Sequence, residues 1–269
     1  MSAEDRISVT LENGVADVRL VRVDKMNALD DAMFSALIET GERLKADPAV
    51  RVVVLSGEGR AFCAGLDMGN FGRMASGERK GGEGLVTMER TPGGSNRAQH
   101  AVMVWREVPV PVIAAIHGVA FGGGFQLTLG ADIRYVTADT KMSVMEIKWG
   151  LVPDMAGLVL MRQLARDDVI RELTYTGRQF TGEEAVQLGF ATRVCADPRA
   201  DALALAAEIA AKNPHAIRAD KRLFEVAARG DQHEILKAES AEQGALIGSP
   251  NQVEAVMANM QKRAPVFAD

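Results

Sequence analysis

The amino-acid sequence predicts an α/β protein whose strands are joined by helical crossovers. Three features carry that expectation. Residues 50–55 and 112–116 are short runs dominated by Val, Ile, Leu and Ala, the mark of strands buried on both faces. The stretches ahead of them, 30–46 and 96–105, read as helices. After Gly150 the strand signals give way to helical ones.

Taken in order, residues 7–12 and 15–20 alternate around Asn13-Gly14, a hairpin signal. Residues 30–46 place Met33, Phe34, Leu37, Ile38 and Leu44 at helical spacing, with Asp30 as N-cap and Pro48 beyond the end. Residues 71–97 hold seven glycines with mixed charges and little periodicity, so a long loop is expected there, either a site cover or a surface insertion. Residues 133–136 read as a further strand. Helices are expected at 156–165, 168–175, 181–188, 200–212, 215–228, 234–246 and 251–260, with Thr181-Gly-Glu-Glu184 as a capping-box-like start. The expected organisation is a core over 1–200 that carries the site and a helical region over 201–269. Broad apolar faces at the end of a chain point to packing against further copies of it.

Composition excludes several classes. The 269 residues carry a net charge of −5, which disfavours a nucleic-acid surface. Cys63 and Cys195 form no disulfide framework, which fits a reducing compartment such as the cytoplasm. His100, His117, His215 and His233 lack metal-ligand spacing, so no metal is expected. The polar, acidic N-terminus does not read as a leader. Residues 108–131 are apolar enough to raise a membrane span, but Pro109, Pro111, His117 and the glycines argue against one, and a soluble chain is expected.

The chemistry concentrates in two glycine-bearing turns. His117-Gly-Val-Ala-Phe-Gly-Gly-Gly124 comes after the strand at 112–116 and leads into a helix, whose first N–H groups have no partner within it. Ala61-Phe-Cys-Ala-Gly-Leu-Asp67 comes after the strand at 50–55. If the two strands are parallel neighbours, both turns reach one sheet edge, where α/β sheets bind ligands. One N–H from each turn could then grip a single carbonyl oxygen, each donor worth ~3 kcal/mol in the transition state. Tight packing alone would also explain either turn by itself.

These two segments resemble the signatures of the crotonase superfamily, the enoyl-CoA hydratase/isomerase group. Asp24-Lys-Met-Asn-Ala-Leu29, Tyr175-Thr-Gly-Arg-Gln-Phe-Thr-Gly-Glu-Glu-Ala185, Leu188-Gly-Phe-Ala191 and Lys262-Arg-Ala-Pro-Val-Phe267 resemble further family segments, so the likeness spans nearly the whole chain. The resemblance implies a spiral of ββα turns with a C-terminal helical trimerisation region, assembled as a homotrimer or dimer of trimers. It implies an acyl-CoA thioester substrate, CoA as part of that substrate with no other cofactor, and an enolate held by Leu66 N–H and Gly123 N–H. Ala64, Gly65, Asp67 and Met68 would line the thioester and pantetheine, and Lys25 would meet the nucleotide of CoA.

The resemblance also places the acid/base groups. Family hydratases carry two glutamates; the first position is Gln126 here, the second is Glu146. Glutamine transfers no proton at neutral pH and only holds an oxygen or a water. Asp154 stands where dienoyl-CoA isomerases of the family carry a catalytic aspartate, though they also have an aspartate at the position of Gln126. Capping of the next helix would explain Asp154 equally well. The leading expectation is therefore a double-bond isomerase using Glu146 and Asp154, with Gln126 orienting the acyl chain or a water. A hydratase using Glu146 and a Gln126-held water stays open. So do thioester hydrolysis or decarboxylation on the same scaffold, and a non-catalytic CoA- or RNA-binding homologue. The acid-rich segment at 30–47 disfavours RNA.

Overall fold

Two sheets carry the architecture. In the computed structural model, which describes residues 6–76 and 88–269, β1 (Ile7–Glu12) and β2 (Val15–Leu20) form the antiparallel hairpin. Its turn residues Asn13 and Gly14 both lie at positive φ, 50° and 80°, which the right-handed twist of a two-residue hairpin demands. β3 (Val52–Gly57), β4 (Val112–Ile116), β6 (Ile133–Val136) and β9 (Arg193–Val194) then add in parallel, giving the order β1-β2-β3-β4-β6-β9. A second sheet of three strands has the order β5-β7-β8, from β5 (Val119–Phe121), β7 (Lys141–Ser143) and β8 (Phe180–Thr181).

The chain steps from one sheet to the other and back. β4 belongs to the first sheet, β5 to the second, and α4 (Gly123–Leu129) returns the chain to β6 in the first and β7 in the second. Strand, strand, helix is thus the repeating unit, and the fold is the expected spiral of ββα turns. The short strands of the second sheet are too brief to leave a sequence pattern.

The helices before α4 set the outer layer. α1 (Asp31–Ala46) is capped by Asp30, whose side chain accepts from Met33 N at 2.8 Å. α2 (Met68–Ala75) has no counterpart among the expected helices, and it takes in the first residues of the predicted 71–97 loop. Residues 77–87 of that loop lie outside the described residues. α3 (Arg97–Glu107) opens with a full capping box between Asn96 and Gln99 and packs on α1.

Strand β3 explains its own apolar run. Val53 and Leu55 face the main core with Trp105 and Phe62. Val52 and Val54 face the other side, against Ala202, Ala206 and Ala210 of α8 (Pro198–Ala210). Both faces are covered, so both alternate sets must be apolar. Residue 200 falls inside α8, which packs on β2, β3, β4 and β6 of the first sheet. The remaining helices are α5 (Gly157–Met161), α6 (Asp167–Thr176), α7 (Gly182–Leu188), α9 (Pro214–Ala227), α10 (Gln232–Leu246) and α11 (Pro250–Gln261). α10 and α11 leave Leu236, Val253, Val256 and Met260 exposed. Among the described residues no helix is long and apolar enough to cross a membrane.

Gly41 of α1 marks how closely α3 approaches. A Cβ there would lie 2.5 Å from Val104 Cγ2. Gly41→Ala would gain helix propensity, about 1 kcal/mol, yet the overlap with a stiff buried valine outweighs it. The expected net loss is about 1–3 kcal/mol by thermal unfolding, with much of it recovered when Val104→Ala is added.

Candidate active site

Three short segments run side by side in the same direction. Cys63 pairs in parallel with Ala120 of β5, and β5 pairs in parallel with β7, Phe121 opposite Ser143. Cys63 N donates to Val119 O and Phe121 N to Cys63 O, both at 3.1 Å, and Gly122 N donates to Ser143 O at 3.0 Å. Parallel segments share an end, so the residues just beyond each of them gather at one edge. Those residues are 64–66, 122–123 and 144–146. β3 and β4 are parallel neighbours as expected, but the two glycine turns meet through the second sheet, one layer away from those strands.

Glycine permits this approach at two points. Gly65 has φ +88°, and a Cβ on it would stand 2.5 Å from Phe121 O. A Cβ on Gly124 would stand 2.3 Å from Cys63 O. Neither overlap could be relieved without moving backbone, so the two turns can touch only without side chains at these places. α4 is held from behind by Phe125, whose ring meets Phe180 at 5.7 Å and Phe190 at 5.4 Å, both edge-on.

The gathered edge encloses a cavity of about 160 Å³. Ala64, Gly65, Leu66 and Met68 line one side, Gly122 and Gly123 another, and Glu146 and Asp154 bring carboxylates. Phe34, Trp149, Leu151 and Met155 supply an apolar wall that the motifs do not single out. In sequence Phe34 shows only in the apolar spacing of residues 30–46, and Trp149 and Leu151 only in an apolar cluster with Val152. Leu66 N–H and Gly123 N–H donate to no group among the described residues.

Glu146 enters from the 3-10 turn Glu146–Trp149 that comes after β7. Burial pushes its carboxyl above the usual range, the nearby Asp154 adds to this, and hydrogen bonds from Gln126 and its own backbone N–H pull only partly the other way. Its Oε1 accepts from Gln126 Nε2 at 2.6 Å, while Oε2 accepts from no described group. Asp154 reaches the cavity from the exposed turn ahead of α5. It does not cap that helix: the N-cap is Ala156, at φ 66°, with no side-chain cap hydrogen bond.

Three expected binding residues lie elsewhere. Gln126 is fully buried behind Glu146 and does not face the cavity. Its amide oxygen accepts from Met155 N (2.9 Å) and Gly157 N (3.0 Å), so it has no oxygen left for a substrate or water. Asp67 accepts from Arg22 Nη1 at 2.7 Å and from Gly69 N at 2.8 Å; partial burial raises its pKa, but these two partners bring the carboxyl below its usual range. It ties the turn to Arg22 and lies outside the cavity wall. Lys25 is exposed in the 3-10 turn Val23–Lys25, beside the first turn because Ala64 N donates to Met26 O, and it too lies off the cavity wall.

Other reactive groups are committed to structure. Burial pushes the Cys63 thiol up to about 12, and its Sγ donates to Asn27 O, so it is no thiolate nucleophile. Asn27 is buried and donates to Glu58 O and Ala61 O, pinning the first turn. His117 bonds Gly59 O. Glu42, His100 and Glu107 do converge, a grouping their spacing could not show, but the Lys45 ammonium sits 2.8 Å from Glu107 and none of them lines the cavity.

Spiral and cavity together define an α/β scaffold in which Leu66, Gly123, Glu146 and Asp154 line one small, mostly apolar pocket. Residues 10–269 match the family model Enoyl-CoA hydratase/isomerase. The mitochondrial Delta(3,5)-Delta(2,4)-dienoyl-CoA isomerase of Mus musculus is 32% identical over 222 residues, 81% of this chain and 68% of that protein. A protein of Bacillus subtilis (strain 168) named "Probable enoyl-CoA hydratase" is 29% identical over 265 residues, 97% of this chain and 98% of that one. The crystal structure of enoyl-CoA hydratase from Bacillus anthracis matches with a TM-score of 0.86 at 27% identity, covering 97% of this chain and 98% of that one. The chain belongs to the enoyl-CoA hydratase/isomerase family of the crotonase superfamily.

The raised Glu146 pKa has a stability consequence. The folded protein prefers the neutral acid, so the stability linked to Glu146 is fully present below its ordinary value of 4.5 and is lost as pH rises through the raised one. Glu146→Gln should therefore raise the melting temperature at about pH 8, with the gain vanishing near about pH 4. A gain of equal size at both pH values would contradict burial of the charged form.

Proposed function

We propose that the protein shifts a carbon–carbon double bond in an enoyl- or dienoyl-CoA thioester through an enolate. Leu66 N–H and Gly123 N–H receive the thioester oxygen as it gains charge, each worth about 3 kcal/mol in the transition state. Glu146 takes a proton from C2 through its unpartnered oxygen and, in a 3-enoyl substrate, returns it at C4. In a 3,5-dienoyl substrate the negative charge extends further, and Asp154 delivers a proton at C6. A base of raised pKa suits this exchange, because it both accepts and returns the proton near neutral pH. No cofactor beyond the CoA of the substrate enters these steps. Lys25, at the outer edge of the turn, is suited to the CoA nucleotide. The exposed apolar residues of α10 and α11 support assembly as a trimer or a dimer of trimers.

One observation carries the choice of reaction. Hydration across a double bond in this family is expected to use a water held between two glutamates, and Gln126 takes the place of the first. Its oxygen is occupied by two backbone donors, one of its two N–H groups is given to Glu146, and the buried amide does not line the cavity. The hydratase reading with a Gln126-held water therefore lacks a group to hold that water, whereas isomerisation needs none.

Incubation with 3-enoyl-, 3,5-dienoyl- and 2-enoyl-CoA, with product analysis, tests the reading. Isomerised products are expected from the first two. Glu146→Gln should lower the isomerisation rate about 10²–10⁴-fold. Efficient hydration of 2-enoyl-CoA with no isomerisation would overturn it.

A further inference from the structure

Three parts of the site meet on the amide of Gln126. Its Oε1 accepts from Met155 N–H at 2.9 Å and Gly157 N–H at 3.0 Å, and its Nε2 donates to Glu146 Oε1 at 2.6 Å. The two backbone groups can only donate, so the amide oxygen must face them and the NH₂ is thereby turned to Glu146. A carboxylate in this place would satisfy the two N–H groups equally well. Its second oxygen would then meet Glu146 acceptor to acceptor.

The turn that Gln126 holds has need of an anchor. Between Met155 and Gly157 stands Ala156, at φ 66°, a left-handed conformation disfavoured by its Cβ. The same turn carries Asp154 to the cavity. Gly157 packs so tightly on Gln126 that a Cβ there would fall 2.7 Å from Oε1.

We infer that Gln126 is the positioning residue of the site, a neutral clamp that fixes the Glu146 carboxylate with Oε2 left for substrate and sets the spacing between Glu146 and the Asp154-bearing turn. It touches no substrate itself. The inference rests on Glu146 being the proton-transferring group. Glu146 is faced by Gln126 from α4, by Gly122 at the head of that helix and by Asp154 from the pre-α5 turn; Asp154 is the charged one of these. The amide donor favours the charged form of Glu146, and Asp154 opposes it.

Two variants test the clamp, Gln126→Leu and Gln126→Glu. The titration of Glu146 is followed in substrate-free protein by carboxyl infrared difference spectra, with Glu146→Gln identifying the band, and kcat and KM are measured against pH. In Gln126→Glu two carboxylates face each other and share a proton, so the upper titration of the pair should rise by about one pH unit or more. The acid limb of kcat should move with it. Gln126→Leu should lower kcat about tenfold to a hundredfold through misplacement. Its KM should stay within about threefold, since no substrate contact is lost. An unmoved titration in Gln126→Glu, or a wild-type kcat in Gln126→Leu, would overturn the inference. Should the leucine variant not fold, the glutamate variant decides alone. The infrared titration needs no turnover, so a protein in which Glu146→Gln keeps full activity would sink the proposed reaction while the spectra still decide the clamp.

Discussion

The site depends on one close approach, that of the Cys63–Leu66 segment to residues 119–124. Two backbones lie there in contact with no side chain between them, at Gly65 over Phe121 O and at Gly124 over Cys63 O. Everything functional is referred to that contact. It sets Leu66 and Gly123 beside one cavity, and through the β5–β7 pairing it brings Glu146 to the same edge. The Phe125, Phe180 and Phe190 cluster keeps α4 pressed against it from behind.

A second layer of interactions tunes what the contact assembles. Arg22 binds Asp67 at 2.7 Å and the Ala28 carbonyl at 3.0 Å, while Arg6 holds the α1 cap Asp30 at 2.8 Å. These partly buried pairs lock the first turn to the residues ahead of α1. On the far side, Gln126 joins α4 to Glu146 and to the turn before α5. The site is therefore preorganised by neutral and paired groups, and Glu146 and Asp154 bring its acidic side chains to the cavity. A cavity with one buried carboxylate and one exposed carboxylate suits moving a proton along a chain.

Much of this is legible in the residues. The hairpin at Asn13-Gly14, the buried strands β3 and β4, the cap at Asp30 and the helices after Gly150 arise from local chemistry and period. Leu66, Gly123, Glu146 and Asp154, named from motif resemblance, all line the cavity. Other expectations fail for identifiable reasons. Helix α2 lies at the edge of a glycine-rich stretch, where propensity is weak. The family resemblance gives Gln126 a position but no side-chain direction, and the partners that turn it away from the cavity come from residues 146, 155 and 157. The Glu42–His100–Glu107 grouping is invisible in sequence because α1 and α3 meet only in three dimensions.

The sequence by itself determined most of the longer elements, the family likeness and the departure at Gln126, because caps, turns and apolar periods act over a few residues and motifs are read in order. Only the tertiary structure decided what Gln126 does. Two backbone donors from one turn and one carboxylate from another fix which way its amide faces. A residue that could have held a water instead holds the carboxylate beside it.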